Sequence, residues 1–218
     1  MSHLKPERSI HLYGATPSGH AHRVRLFLSL LELPYEWIEV DLAHGAHKRP
    51  EFLAKNPFGK VPVIEDGDTT LYDSNAILVY LATKYDAGGS WLPTDPLGAA
   101  AVQRWFSLAA GEILHGPGFA RAVNLFHRPL DLPKAQALAK SLFTVLDVEL
   151  ASTRFAIGDH PTLADVAGYS YIAAAPEGGI ALEAYPHLSA WLARIEALPH
   201  FVPMPQNPVG LRAPAARI

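Results

Sequence analysis

Two serines stand at points where a helix is about to begin, and each could hold an anion. Ser18 follows a short strand pattern and the turn-rich stretch Ala15–Gly19, and it immediately precedes an apolar-periodic run. Its hydroxyl has one proton to donate, and the helix start adds positive potential at the same spot. That combination suits holding an anion, a thiolate being one case. A thiol starts near pKa ~8.5, and a hydrogen bond to a charged group, at roughly 1.5–3 kcal/mol, suffices to lower this by about one to two units. Tyr13, which ends the preceding strand, is a weaker alternative donor, and His20 is a neighbour that could contact the thiol. No His–acid relay stands near Ser18, which argues against a nucleophilic hydrolase serine. Ser74, paired with Asp73, opens a second helical run. The pair reads as an N-cap, and the same free N–H groups bind carboxylates.

The chain of 218 residues contains no cysteine. Disulfides, thiolate zinc sites and a cysteine nucleophile are therefore excluded, and any thiol must arrive on a small molecule. With 49% hydrophobic and 18% charged residues the chain has the composition of a folded globular protein. A formal charge of -3 and the lack of any lysine or arginine run argue against nucleic acid as a partner. The eleven histidines allow positive charge to grow at acid pH. They do not suggest a metal. His20 and His22 on a helix would point roughly 200° apart, and no third ligand accompanies His44 and His47. Met1–Ser9 is polar and no apolar run is long enough to span a bilayer, so a cytoplasmic protein with no membrane partner is expected.

The elements that must position these residues follow from periodicity. Ile10–Tyr13 reads as a buried strand, and His20–Leu31 as a helix with Val24, Phe27, Leu28 and Leu31 on one face. Tyr35–Val40 is a second strand, with the polar Glu36 and Glu39 inside an otherwise apolar segment. Lys48–Ala54 suits a short helix. Lys60–Glu65 and Thr69–Tyr72 flank Asp66-Gly67, a hairpin signal, and Asp73–Tyr85 is helical. Gly88, Gly89, Pro93 and Pro96 break the pattern. We expect an α/β domain at 1–86, a linker at 87–96 and an all-α domain at 97–218. In the latter, helices are read at Leu97–His115, Leu132–Leu150, Thr162–Ala175 and His187–Leu198, with Phe119 and Phe126 in the core and an irregular proline-rich tail. Thr162 and Asp165 have capping-box spacing, with Asp in place of Glu or Gln.

Four features occur in one order: Ser18 to Arg25 at the first helix, Lys60-Val61-Pro62 before a strand, Asp73-Ser74 after the hairpin, and Thr162-Leu163-Ala164-Asp165. Over essentially the whole chain this set resembles the glutathione S-transferases, whose first domain is thioredoxin-like. The position of Ser18, six residues before Val24, resembles serine-type members such as theta and zeta. The resemblance implies a catalytic Ser18 that keeps glutathione, the co-substrate, as thiolate. It implies a cis bond at Val61-Pro62, with Val61 pairing the cysteinyl backbone of glutathione as a peptide added to a sheet edge. It places the γ-glutamyl carboxylate on Ser74, the glutamyl ammonium near Asp73 (Glu or Gln is usual there), the glycyl carboxylate on Lys60 or His47, and His20 near the thiol. It implies an electrophile pocket along Arg104, Leu108, Gly111 and His115, and a homodimer. A non-catalytic binding protein, a glutathione-dependent isomerase, and a disulfide or peroxide reductase remain alternatives. Gly19, His20 and Ala21 replace the Ser-Cys-Ser of the zeta isomerases.

Overall fold

Burial alternates strictly along the first strand, and this decides which side chains face the helices. In the computed structural model, which describes residues 5–207, β1 (Ile10–Gly14) buries Ile10, Leu12 and Gly14 and leaves His11 and Tyr13 half-exposed on the other face. The crossover helix α1 (Gly19–Leu30) returns the chain to β2 (Tyr35–Glu39), which pairs parallel to β1, as a βαβ unit requires. A 3₁₀ turn (Ala46–Lys48) leads into the short α2 (Pro50–Leu53). β3 (Val63–Asp66) is antiparallel to β1 and forms a hairpin with β4 (Thr69–Tyr72), giving the sheet order β2-β1-β3-β4. α3 (Ser74–Tyr85) then packs against α1. The core of this unit holds Ile10, Leu12, Val24, Leu28, Ile64, Ile77, Leu78 and Leu81, all fully buried. A smaller apolar cluster of Val40, Phe52 and Val63 covers the opposite face, with Tyr13, Ala46 and Val61 against it.

The chain divides into two compact units. One comprises Met1–Thr94 with Leu198–Met204, and the other Asp95–Ala197 with Pro205–Ile218. The piece Leu198–Met204, read from sequence as part of the helical domain, lies with the first unit. There it is held by His22 Nε2, 2.8 Å from the Val202 carbonyl, and by Ser29 Oγ, which donates to the His200 carbonyl at 2.7 Å.

The second unit is helical: α4 (Pro96–Ala110), α5 (Phe119–Phe126), α6 (Leu132–Leu150), α7 (Leu163–Ala173) and α8 (Pro186–Glu196). Asp95 caps α4 by accepting from the Leu97 and Gly98 N–H groups, Asp131 caps α6 by accepting from the Lys134 N–H, and each helix has a proline in its first turn. Trp105 of α4 and Trp191 of α8 are fully buried with ring centroids 5.7 Å apart. The Thr162–Asp165 capping box is present at α7. Asp165 is itself buried, and burial raises its pKa against the pull of its hydrogen bonds.

Two expectations change. The helix read through His115 ends at Ala110, and the chain passes through a π-helical segment (Leu114–Gly118) into α5, which the sequence reading did not contain. Phe126, expected in the core, is 47% exposed, and Phe119 is only half-buried. The tail has no regular structure from Phe201 to Asn207. Its remainder, with Pro208 and Pro214, lies outside the described residues, as does the start of the polar N-terminal stretch. Among the described residues, no helix is long and apolar enough to cross a membrane.

Candidate functional site

Ser18 is the N-cap of α1. Its backbone is extended (φ -84°, ψ 116°) and its Oγ accepts from the Ala21 N–H at 3.3 Å. Its own N–H closes a turn onto the Ala15 carbonyl at 2.8 Å. Because the oxygen is used as an acceptor, the hydroxyl proton is left to point at a second partner, and that partner would sit in the positive field of the helix start.

Ser74, the first residue of α3, is buried, and its hydroxyl is held from two sides. Arg23 Nη1 donates to Ser74 Oγ at 2.9 Å and to Asn75 Oδ1 at 2.8 Å, while His20 Nδ1 lies 3.3 Å from Ser74 Oγ. Arg23 is only 1% exposed, so a full positive charge lies beneath the helix start. Burial, and then the charges of Arg23 and Lys60, push the pKa of His20 down to about 3, and the imidazole is neutral at physiological pH. Asp73 holds a left-handed backbone (φ 73°), uncommon for a residue other than glycine. Its Oδ1 accepts from the N–H groups of Asn75 and Ala76 at 3.0 Å each, so its carboxylate caps α3.

Lys60 and Val61 lie on the loop that enters β3, and the Val61-Pro62 bond is cis, as the resemblance implied. Asn56 Nδ2 donates to the Lys60 carbonyl at 2.7 Å and fixes that loop. Val63 pairs with Tyr13, so the loop enters the sheet beside the end of β1, from which the Ser18 loop leaves. His47 sits on the 3₁₀ turn, whose next residue, Lys48, donates to the carbonyls of Phe58 and Gly59 at 3.2 and 3.0 Å. The first unit therefore joins Ser74 to His20 directly and sets Lys60 close enough to act on the His20 charge. Ser18 lies two residues before His20 on the same helix start.

Tyr13 is placed otherwise. Its hydroxyl donates to Glu65 Oε2 at 2.6 Å, Lys55 pairs with the same carboxylate, and burial with Glu65 raises the phenol pKa. The ring packs on the sheet face that carries α2. In the second unit, Arg104 makes a double hydrogen bond to Glu149 of α6 at 3.1 and 2.9 Å. Leu108 and Gly111 are half-buried, and His115 is exposed with its ring edge against Phe119 at 4.9 Å. Among the described residues, no group of three or more histidines and acids is placed to hold a metal ion.

Sequence reasoning gave no role to Arg23 or Asn75. The available signal was a charged side chain at Arg23 beside Val24 in the apolar-periodic run of the first helix. A buried guanidinium needs designated acceptors, and these lie at the start of α3.

Two family descriptions match the chain, "Glutathione S-transferase, N-terminal domain" over residues 17–84 and "Glutathione S-transferase, C-terminal domain" over residues 115–199. The chain belongs to the glutathione S-transferase family of enzymes. Within that family it is 35% identical over 215 residues to glutathione S-transferase 3 of Zea mays, covering 90% of this chain and 96% of the relative. It is 32% identical to the disulfide-bond oxidoreductase YfcG of Escherichia coli, covering 87% of this chain and 91% of that protein. The crystal structure of a glutathione S-transferase from Pseudomonas fluorescens superposes with a TM-score of 0.85 at 35% identity, covering 91% of this chain and all of that one. A glutathione S-transferase fold, thioredoxin-like unit first and helical unit second, is thereby established.

Proposed function

We propose that the first unit binds glutathione and that Ser18 holds its sulfur as thiolate for attack on a small electrophile. The observation that carries this is the Ser18 hydroxyl, which accepts from Ala21 and so keeps its proton for an anion at the start of α1. The thiol proton goes to water. The thiolate then forms the carbon–sulfur bond as the leaving group departs, and the serine is never acylated. Ser74 receives the γ-glutamyl carboxylate over the buried Arg23, Val61 pairs with the cysteinyl backbone, and Lys60 and His47 serve the glycyl carboxylate. Neutral His20 contributes a hydrogen bond beside the thiol rather than a charge. Asp73 acts on the ligand through its effect on α3, since its carboxylate caps that helix. In the second unit Leu108, Gly111 and His115 are assigned to the electrophile, with Arg104 held by Glu149.

Replacing Ser18 with Ala tests the reading. The pKa of bound glutathione, read from thiolate absorbance, should rise by about one to two units, and turnover at neutral pH should fall with partial recovery at high pH. An unchanged thiol pKa with full activity would remove the role from Ser18. The similarity to a disulfide-bond oxidoreductase favours a second reading, disulfide reduction by the same thiolate. A panel of halide, epoxide, peroxide and disulfide substrates separates the two, and tight glutathione binding without turnover would favour a binding protein.

We also infer a homodimer in the cytoplasm. Phe58 is 65% exposed and stacks edge-on with the exposed Tyr72 at 6.0 Å, and an apolar pair of this kind is ordinarily covered. Sedimentation should give twice the chain mass at micromolar concentration for the parent protein and a shift toward monomer for Phe58→Ser. A parent protein that sediments as monomer would refute the dimer.

A further inference from the structure

The strand β2 ends in a carboxylate that reaches the loop carrying Ser18. Glu39 Oε1 accepts from the Thr16 backbone N–H at 2.9 Å, and its Oε2 accepts from Thr16 Oγ1 at 2.8 Å and from Trp37 Nε1 at 2.8 Å. An exposed acid on an edge strand is ordinarily solvated and exchanges its partners freely. Here three donors converge on one carboxylate, and two of them belong to the residue two positions before Ser18.

The same side of the loop is buttressed a second way. The Trp37 ring lies on Gly14 so closely that a Cβ there would stand 2.3 Å from a ring carbon. Gly14 is registered opposite Glu39, and its carbonyl accepts from the Val40 N–H at 2.7 Å. The Arg25 guanidinium covers the Trp37 ring, 5.6 Å from its centroid, and Arg25 Nε donates to the Tyr35 hydroxyl at 3.2 Å. From Gly14 to Thr16 the loop is thus clamped by β2. Pro17 then fixes one backbone angle, and Ser18 follows. Glycine at position 14 is what allows the indole this close, and the indole in turn orients the Glu39 carboxylate.

We infer that Glu39 is a positioning residue for Ser18: it pins Thr16 and thereby sets where the Ser18 hydroxyl points. This rests on the Ser18 reading above. The sign of its effect separates positioning from simple charge. As a negative charge, Glu39 disfavours a nearby thiolate, so its removal would lower the thiol pKa by field alone. As a positioning group, its removal loosens the Ser18 hydrogen bond and raises the thiol pKa.

The test measures the pKa of enzyme-bound glutathione from thiolate absorbance, together with kcat and KM, in the full-length protein. Glu39→Ala should raise the thiol pKa by about half a unit to one unit, part of what a whole charged hydrogen bond is worth. kcat at neutral pH should fall about three- to ten-fold and recover at high pH, with the KM for glutathione within about two-fold. Glu39→Gln keeps one acceptor oxygen and should fall between Glu39→Ala and the parent. Thr16→Val, which loses only the hydroxyl bond, should shift in the same direction by less, and it carries the test should Glu39→Ala not fold. In a Ser18→Ala background, Glu39→Ala should add no further rise. If Ser18→Ala raises the thiol pKa while Glu39→Ala and Thr16→Val leave it unchanged or lower it, the positioning role is wrong and the Ser18 reading stands. If Ser18→Ala itself leaves the thiol pKa in place, the Ser18 reading falls and the Glu39 role falls with it.

Discussion

Arg23 reaches from the second turn of α1 to the first residue of α3, with Nη1 2.9 Å from Ser74 Oγ. The donor on that oxygen is a buried guanidinium, so the serine keeps its own proton for His20 Nδ1, 3.3 Å away, or, on the proposed reading, for a carboxylate. A positive charge beneath two helix starts also favours an anion above them. Arg23→Met should raise the KM for glutathione by about ten-fold or more, since a hydrogen bond to a charged group is worth roughly 1.5–3 kcal/mol. kcat at saturating glutathione should change far less, because Ser18 is untouched. Steady-state kinetics with glutathione varied checks this, and an equal loss in kcat would place Arg23 in the chemistry instead.

His20 gives a stability signature. Its native pKa, about 3, lies below the ordinary value of 6.5, because burial and the charges of Arg23 and Lys60 oppose protonation. Between these values the unfolded chain binds a proton that the native protein does not, so stability rises with pH and is lost as pH falls below 6.5. A site of this kind contributes up to about 1.4 kcal/mol per pH unit to the slope. His20→Gln has no such proton to bind. Urea midpoints measured at neutral and mildly acid pH should therefore fall less in the variant than in the parent. Parallel losses in the two proteins would show that His20 is not held neutral.

The fold was legible where its signals are local. β4 and the long α6 have the expected limits, the former set by the Asp66-Gly67 turn and the latter by sustained 3.6-residue periodicity. α5 was not legible. Gly116, Pro117 and Gly118 precede it, and all three are ordinary helix breakers. Here the chain keeps winding through them as a π segment, and Gly116 is needed because a Cβ there would lie 3.0 Å from the Ala139 backbone of α6. That contact is made between residues far apart in sequence, so no local pattern announces it. The same holds within the site. Ser18, Ser74 and the cis Val61-Pro62 step are tied to helix starts and a strand entry, which sequence marks. Arg23 and Glu39 act by reaching other elements, and only the folded chain shows what they reach.

Asp165 offers the sharpest test of the second unit. Its Oδ1 accepts from the Ala156 N–H at 2.8 Å and from Trp191 Nε1 at 2.7 Å, and its Oδ2 accepts from the Thr162 N–H at 2.8 Å. The carboxylate thus joins the loop before α7, the α7 cap and α8. Asp165→Ala leaves these three buried N–H donors, and the Thr162 hydroxyl that also donates to Oδ2 at 3.2 Å, without that acceptor, at about 1–3 kcal/mol each before relaxation. A net loss of about 3–5 kcal/mol is expected, a large share of a typical domain stability of about 5–15 kcal/mol. Asp165→Asn should cost less, because its amide oxygen can still serve Ala156 and Trp191 while its NH₂ opposes the Thr162 N–H. Thr162→Ala should cost least, about 1 kcal/mol, since the backbone bond to Asp165 survives. Denaturant unfolding followed by tryptophan fluorescence ranks the three variants. A Thr162→Ala loss as large as that of Asp165→Ala would show that the threonine hydroxyl, and not the buried carboxylate, holds the junction together.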